Sequence, residues 1–511
     1  MCALAALLAV SSPGPPAQRK APVMLDAFDG IAGWTASPSE GVRMDLRPDA
    51  GPSGGGALRM DFDFRGHAGW AAARKAFPRT LPGNWTIAFA IRGDAPVETL
   101  EFKLLDRSGE NVWWSVRRDF EFPREWTALR YRKRQVSFAW GPAHDGELRD
   151  LGFVEITVTA SAGGAGSVWL AALTLEELPA ADAPLPPPRS WRSVPGGGDR
   201  QELLLDLGGR HELGGLTLDW DAADFARRYD VELSEDGRSW ERARSVQASR
   251  GGRAWIALPD ADAAFVRLSL AQSARGRGYR LARIRVEPPE FSETPTRFLE
   301  AVARDSRRGV WPRSLVGEQL YWAVVGVDGG AEKGLLSEDG ALETGRGAFS
   351  IEPFLRVGGR LFGWADAETS QRLAGVDLPL PVVTRTLPGG LSLEVTAFAE
   401  GPREASTQRA RYRVHNAGAS PVRATLVLAL RPVQVNPPWQ FLNTPGGFAP
   451  IRRIAWDGRR ISVDEARFVV PRTPGARFSA SRFDDGEIVS RWADGTAPEV
   501  AEAEDPDGRA S

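Results

Sequence analysis

The chain has 511 residues, 42% of them hydrophobic and 25% charged, which excludes wholesale disorder and, at about 100–200 residues per domain, implies three or four domains. Lys and Arg total 64 against 66 Asp and Glu, and the formal charge of -2 removes any overall electrostatic case for nucleic acid or an anionic membrane as the main partner. A single cysteine, Cys2, and four scattered histidines (His67, His144, His211, His415) exclude a disulfide framework and give no zinc spacing; no G-x-S-x-G elbow accompanies them. With 55 Gly and 38 Pro the chain favours turns and short strands, and 18 Trp against 5 Tyr points to indoles in sandwich cores, indoles as stacking platforms, or both.

In chain order, residues 1–20 open with an apolar run, Ala3 to Val10, then small residues and prolines. They read as a secretory signal without its basic start, so the expected location is periplasmic or extracellular. No later run approaches the ~20 apolar residues of a membrane span. A Pro/Ala spacer at 179–189 and a second break near Glu287-Pro288-Pro289-Glu290 divide the rest into segments 22–178, 190–287 and 291–511.

Segment 22–178 reads as β. Ala57 to Phe64 and Val154 to Thr159 alternate apolar and polar, and Asp106-Arg107-Ser108-Gly109 is a turn. In the Val112 to Arg117 run, period two puts Val112, Trp114 and Val116 on one face and Trp113, Ser115 and Arg117 on the other. The apolar set is expected in the core, which leaves Trp113 exposed beside the Arg117 guanidinium. An indole flanked by a cation suits sugars, since the C–H face of a pyranose stacks while polar groups bond its hydroxyls. Trp140 is a further candidate in this segment.

The runs Leu25-Asp26-Ala27-Phe28-Asp29-Gly30, Gly33-Trp34, Phe102 to Trp114 and Gly166-Ser167-Val168-Trp169-Leu170 resemble bacterial jelly-roll carbohydrate-binding modules. The resemblance implies glycan binding. Such modules often close on a carboxylate that serves a structural calcium, but Ala171 and Ala172 stand there, so no cofactor or metal is expected.

Segment 190–287 resembles a discoidin (coagulation factor type C) domain through Ser190-Trp191-Arg192-Ser193, Leu204 to Gly208, Leu216 to Trp220, Tyr229 to Ser234, Asp236 to Trp240 and Phe265 to Leu268, in the family's order. The resemblance implies glycan or lipid-headgroup binding through loops; the charge balance favours glycan. Asp236-Gly237 is expected as a tight turn, with Tyr229 and Trp240 both in the core.

Segment 291–511 opens on a helix: Thr294 caps, Pro295 takes the first position, and Phe298, Leu299 and Val302 form the apolar stripe. Antiparallel strands follow, with two-residue hairpin turns at Gly358-Gly359 and Asp457-Gly458. Tyr321 to Gly329, Leu336 to Gly340, Phe349 to Phe354, Arg431-Pro432 and Asn436 to Phe441 resemble the N-terminal sandwich of cellobiose- and chitobiose-phosphorylase-like proteins. There the sandwich leads into a catalytic (α/α)6 barrel, which does not follow here, so the segment reads as a truncated sandwich. The adjacent carboxylates Glu338-Asp339 point apart on a turn and, like Asp484-Asp485, read as solvated; no catalytic residue is assigned. Trp439 and Gln440, on a proline-stiffened loop, offer a stacking face beside an amide.

The expectation is thus a multi-domain all-β protein: a jelly roll, a discoidin-like sandwich and a partial super-sandwich behind a short helix. Its function would be carbohydrate binding, as the non-catalytic region of an exported polysaccharide- or oligosaccharide-processing protein. The alternatives are an active glycoside hydrolase or phosphorylase whose barrel lies beyond Ser511, and a free-standing lectin or adhesion protein. The sugar-binding candidates are Trp113, Arg117, Trp140, Trp439 and Gln440.

Overall fold

The computed structural model describes residues 21–511 apart from 145, 181–183, 376 and 443. The signal-like stretch 1–20 and the middle of the 179–189 spacer lie outside the described residues. The chain is mostly β, as its alternation implied, and it forms two compact units with a division at Pro184/Leu185. No helix of the described residues is long and apolar enough to cross a membrane.

The first unit is an antiparallel sandwich. One sheet orders its strands Arg43–Ala50, Gly56–Asp63, Ala165–Glu177, Trp85–Asp94 and Thr127–Arg132, with Val23–Asp26 also paired to Ala165–Glu177. The other orders Ser137–Trp140, Val112–Phe120, Glu98–Asp106, Asp150–Thr159, Trp70–Thr80 and Thr35–Pro38. Period-two alternation sends Leu58, Met60, Phe62, Ile87, Phe89 and Ile91 from the first sheet against Leu100, Phe102, Leu104, Val154, Ile156 and Val158 from the second.

The second unit begins with a six-stranded sheet in the order Arg189–Arg192, Arg280–Glu287, Gln201–Trp220, Arg253–Ser273, Ala226–Ser234 and Glu241–Val246. Its two longest strands break register between Asp206 and His211, where a bulge lets one sheet bend around a core of Leu203, Leu205, Leu216, Leu218, Val266 and Leu268. The helix Pro295–Arg304 follows as expected: the Thr294 hydroxyl accepts the Arg297 N–H at 3.1 Å, and Phe298, Leu299 and Val302 are buried. Beyond it lie the sheet built on Ser350–Val357, the sheet Glu368–Gly375, Leu378–Thr386, Leu391–Glu400, Thr407–Asn416, and a small sheet on Arg453–Trp456.

Gly358-Gly359 is the expected two-residue turn, with Val357 paired to Arg360 and φ of 57° and 84° at the two glycines. At Asp457-Gly458 the connection is longer, because Trp456 pairs with Ile461 and the Asp457 carboxylate accepts the N–H groups of Arg459 and Arg460. Trp240 is not a core residue. It precedes its strand and half-covers the guanidinium of Arg267, 4.3 Å from the ring, while Tyr229 is buried as expected.

Candidate functional site

The strand parity around Trp113 is the reverse of the expectation. Trp113 is 7% exposed, packs edge-on against Phe138 in the core and donates its Nε1–H to the Gly146 carbonyl at 2.8 Å. Arg117 follows it inward, half-buried, its guanidinium 5.1 Å over the Tyr131 ring. The cause is the neighbouring strand. Leu104 pairs with Trp113 and Lys103 with Trp114, and cross-strand partners share a face, so the Leu100, Phe102, Leu104 series carries Trp113 into the core and turns Trp114 outward. The signal was present in the hairpin around Asp106-Arg107-Ser108-Gly109: pairing its two arms fixes the parity that one arm leaves open.

The outer face of that sheet is the strongest candidate site in the first unit. Trp114 and Trp140 meet edge-to-face with centroids 5.4 Å apart, and Trp140, an expected candidate, is 48% exposed. Beside them the Lys103 ammonium lies 5.7 Å from the Trp140 ring, 2.8 Å from Glu101 and 3.2 Å from Glu155. Arg74 completes the row, 2.6 Å from Glu155, and the hydroxyls of Thr157 and Thr159 bond to Glu155 and Glu101. Trp70, also 48% exposed, lies on the same face at the far end of its strand, four residues from Arg74, which is about 13 Å at the strand rise.

Chemically this is a polar strip bracketed by indoles. An ionised carboxylate has about four acceptor positions: Glu155 fills its own with Lys103, Thr157 and two nitrogens of Arg74, whereas Glu101, holding Lys103 and Thr159, keeps positions open for hydroxyl donors. The internal ion pairs hold every polar group in place before a ligand arrives. Sequence reasoning missed Trp70, Lys103, Glu101 and Glu155, because no motif joins residues that only the sheet brings together.

In the second unit Trp439 and Gln440 are exposed on their loop, with Phe441 exposed beside them. The loop is tied down through Glu343, whose carboxylate accepts the N–H of Asn436 at 2.9 Å and of Gly347 at 3.2 Å. Burial pushes the Glu343 carboxyl up to about 7, against those hydrogen bonds, which favour its ionised form.

The carboxylates read as solvated are in fact bound. Asp339 is buried in a bidentate pair with Arg313 at 2.6 and 2.7 Å. Asp484 is buried against Arg509 at 3.2 Å, its pKa raised by desolvation, and Asp485 accepts the N–H groups of Gln247 and Ala248. Each is engaged in holding the fold.

Residues 179–284 match the family model of the F5/8 type C domain. The discoidin reading of this part of the chain stands, and the F5/8 type C domain comprises the bent six-stranded sheet described above. No curated protein matches the chain. Similar solved structures include the family 11 carbohydrate-binding module from Clostridium thermocellum in complex with a β-1,3-1,4-mixed-linked tetrasaccharide, 13% identical, covering 30% of this chain and 94% of that one, with a TM-score of 0.26. Another is a chitosan-binding module in complex with chitotriose from a Paenibacillus chitosanase/glucanase, 25% identical, covering 19% of this chain and 76% of that one, with a TM-score of 0.18. A third, an exo-β-agarase, is 10% identical, covering 32% of this chain and 26% of that one, with a TM-score of 0.24.

Proposed function

We propose that this chain binds carbohydrate, as the non-catalytic region of a polysaccharide- or oligosaccharide-processing protein. The observation that carries the reading is the outer face of the first sandwich, where the exposed Trp140 and the half-buried Trp114 stand beside the Lys103, Glu101, Glu155 and Arg74 strip. Indoles would take the apolar face of a sugar ring and the strip its hydroxyls. The F5/8 type C domain supports the same reading. The likeness of 291–511 to the sandwich of glycoside phosphorylases rests on its residue runs alone and gives the chain a natural setting in glycan processing. Export fits this setting and rests on the 1–20 stretch.

The test is isothermal titration of the 511-residue chain with soluble mixed-linked β-glucan, chitosan oligosaccharides and agaro-oligosaccharides. At least one is bound, and Trp140→Ala weakens it several-fold while leaving Tm unchanged. Failure of the wild-type chain to bind any of them, or wild-type affinity in Trp140→Ala, refutes the assignment to this face.

A further inference from the structure

The near-zero charge of the chain conceals one strongly basic rim. At one end of the F5/8 type C domain the loops 193–200 and 272–280 lie together and present Arg192, Arg200, Arg275, Arg277 and Arg280, all exposed. Among the described residues the side chains of the first four form no hydrogen bond or ion pair, whereas Arg253, Arg267, Arg308 and Arg313 elsewhere in the unit each hold a carboxylate.

The loops are built rather than loose. The Asp199 carboxylate accepts the N–H of Ser273 at 2.7 Å and of Gln272 at 2.9 Å, and these bonds, Ser273 first, lower its pKa. The Tyr279 hydroxyl donates to the Asp199 carbonyl, the Tyr279 N–H donates to the Ser193 hydroxyl at 2.8 Å, and the Ser193 N–H donates to the Tyr279 carbonyl at 2.9 Å. Gly278 sits at φ 102°, where a Cβ would strike the Ser193 hydroxyl, so the approach of the two loops depends on glycine.

Two features set this rim apart from an ordinary solvated surface. Arg192 and Arg280 are directly opposed cross-strand partners, an arrangement of like charges that costs stability. The nearest carboxylates offset the rim's charge only in part. Asp199, held in its ionised form by backbone N–H groups, acts on Arg200, and Asp221, which accepts the N–H groups of Ala223 and Asp224, acts on Arg280, at 3.6 Å, and on Arg192. Guanidinium groups are planar forks matched to sulfate and carboxylate oxygens, and a fixed array of them suits a repeating anion.

We propose that this rim binds a polyanionic polysaccharide, one bearing sulfate or uronate groups, at a site separate from the outer face of the first sandwich. The full chain is titrated with dextran sulfate and with unmodified dextran over a salt series, and tested for flotation with phosphatidylserine vesicles. Dextran sulfate binds with a salt-dependent Kd and unmodified dextran does not. Arg275→Ser/Arg277→Ser, in an exposed glycine-rich loop, weakens binding about tenfold or more and reduces the salt slope by about two. Arg192→Gln weakens it as well while Tm holds or rises, which a purely structural arginine would not do. Trp140→Ala leaves dextran sulfate binding intact, so this test and that of the sugar face fail separately. Wild-type affinity in the double variant, loss of binding in Trp140→Ala, or uptake on vesicles without dextran sulfate binding overturns the proposal.

Discussion

Replacing Trp113 by alanine removes an indole that is 7% exposed, in contact with Phe138 and hydrogen-bonded to the Gly146 carbonyl. A core Trp→Ala change costs about 3–5 kcal/mol, and the lost hydrogen bond adds about 1. At about 2–4 °C per kcal/mol for a unit of this size, the melting transition of the first sandwich falls by about 10–20 °C. Trp114, one residue on, is half-buried on the outer face, so its truncation costs little stability, under about 1.5 kcal/mol. It does remove the edge partner of Trp140, and the loss of about 1 kcal/mol of aromatic contact weakens glycan affinity roughly fivefold. Differential scanning calorimetry of the full chain and titration with the bound glycan read the two quantities independently. A chain in which Trp113→Ala melts normally and Trp114→Ala unfolds has the opposite parity, and the site built on the outer face falls with it.

Glu343 makes the stability of the second unit depend on pH. Its carboxyl is raised from 4.5 to about 7, so between those values the folded chain holds a proton the unfolded chain has lost, and stability declines as pH rises through the window, by up to about 3 kcal/mol. Glu343→Gln flattens that decline; urea unfolding at pH 4.5 and 7.5 giving the same slope for both proteins contradicts the argument. Arg431 is fully buried between Glu352 at 2.6 Å and Glu487 at 3.4 Å, so Arg431→Leu strands two carboxylates and destabilises by about 3–5 kcal/mol. Guanidinium-induced unfolding measures it, and a loss below about 1 kcal/mol would show that the carboxylates find water or a proton at little cost.

The class of fold was legible in the residues alone, because alternation, turn residues and caps are local. The 57–63 and 154–159 runs lie in strands, the Gly358-Gly359 turn joins adjacent positions, and Thr294 with Pro295 starts the helix where the capping chemistry demands. The F5/8 type C domain was legible for a related reason, since an ordered series of motifs survives in the primary structure. Which side of each strand faces inward, and which distant residues share a face, is set by the pairing of strands far apart in the chain. In the 112–117 run the more apolar set, Val112, Trp114 and Val116, pointed to a buried Trp114, and the pairing of Lys103 with Trp114 and of Leu104 with Trp113 reverses it. Asp339 and Asp484 looked solvated because their partners, Arg313 and Arg509, stand 26 and 25 positions away, and a charge is satisfied by whatever the fold brings within 3 Å or so. Strand parity and charge pairing are properties of contacts, and contacts between remote residues are set by the packing of the whole sheet.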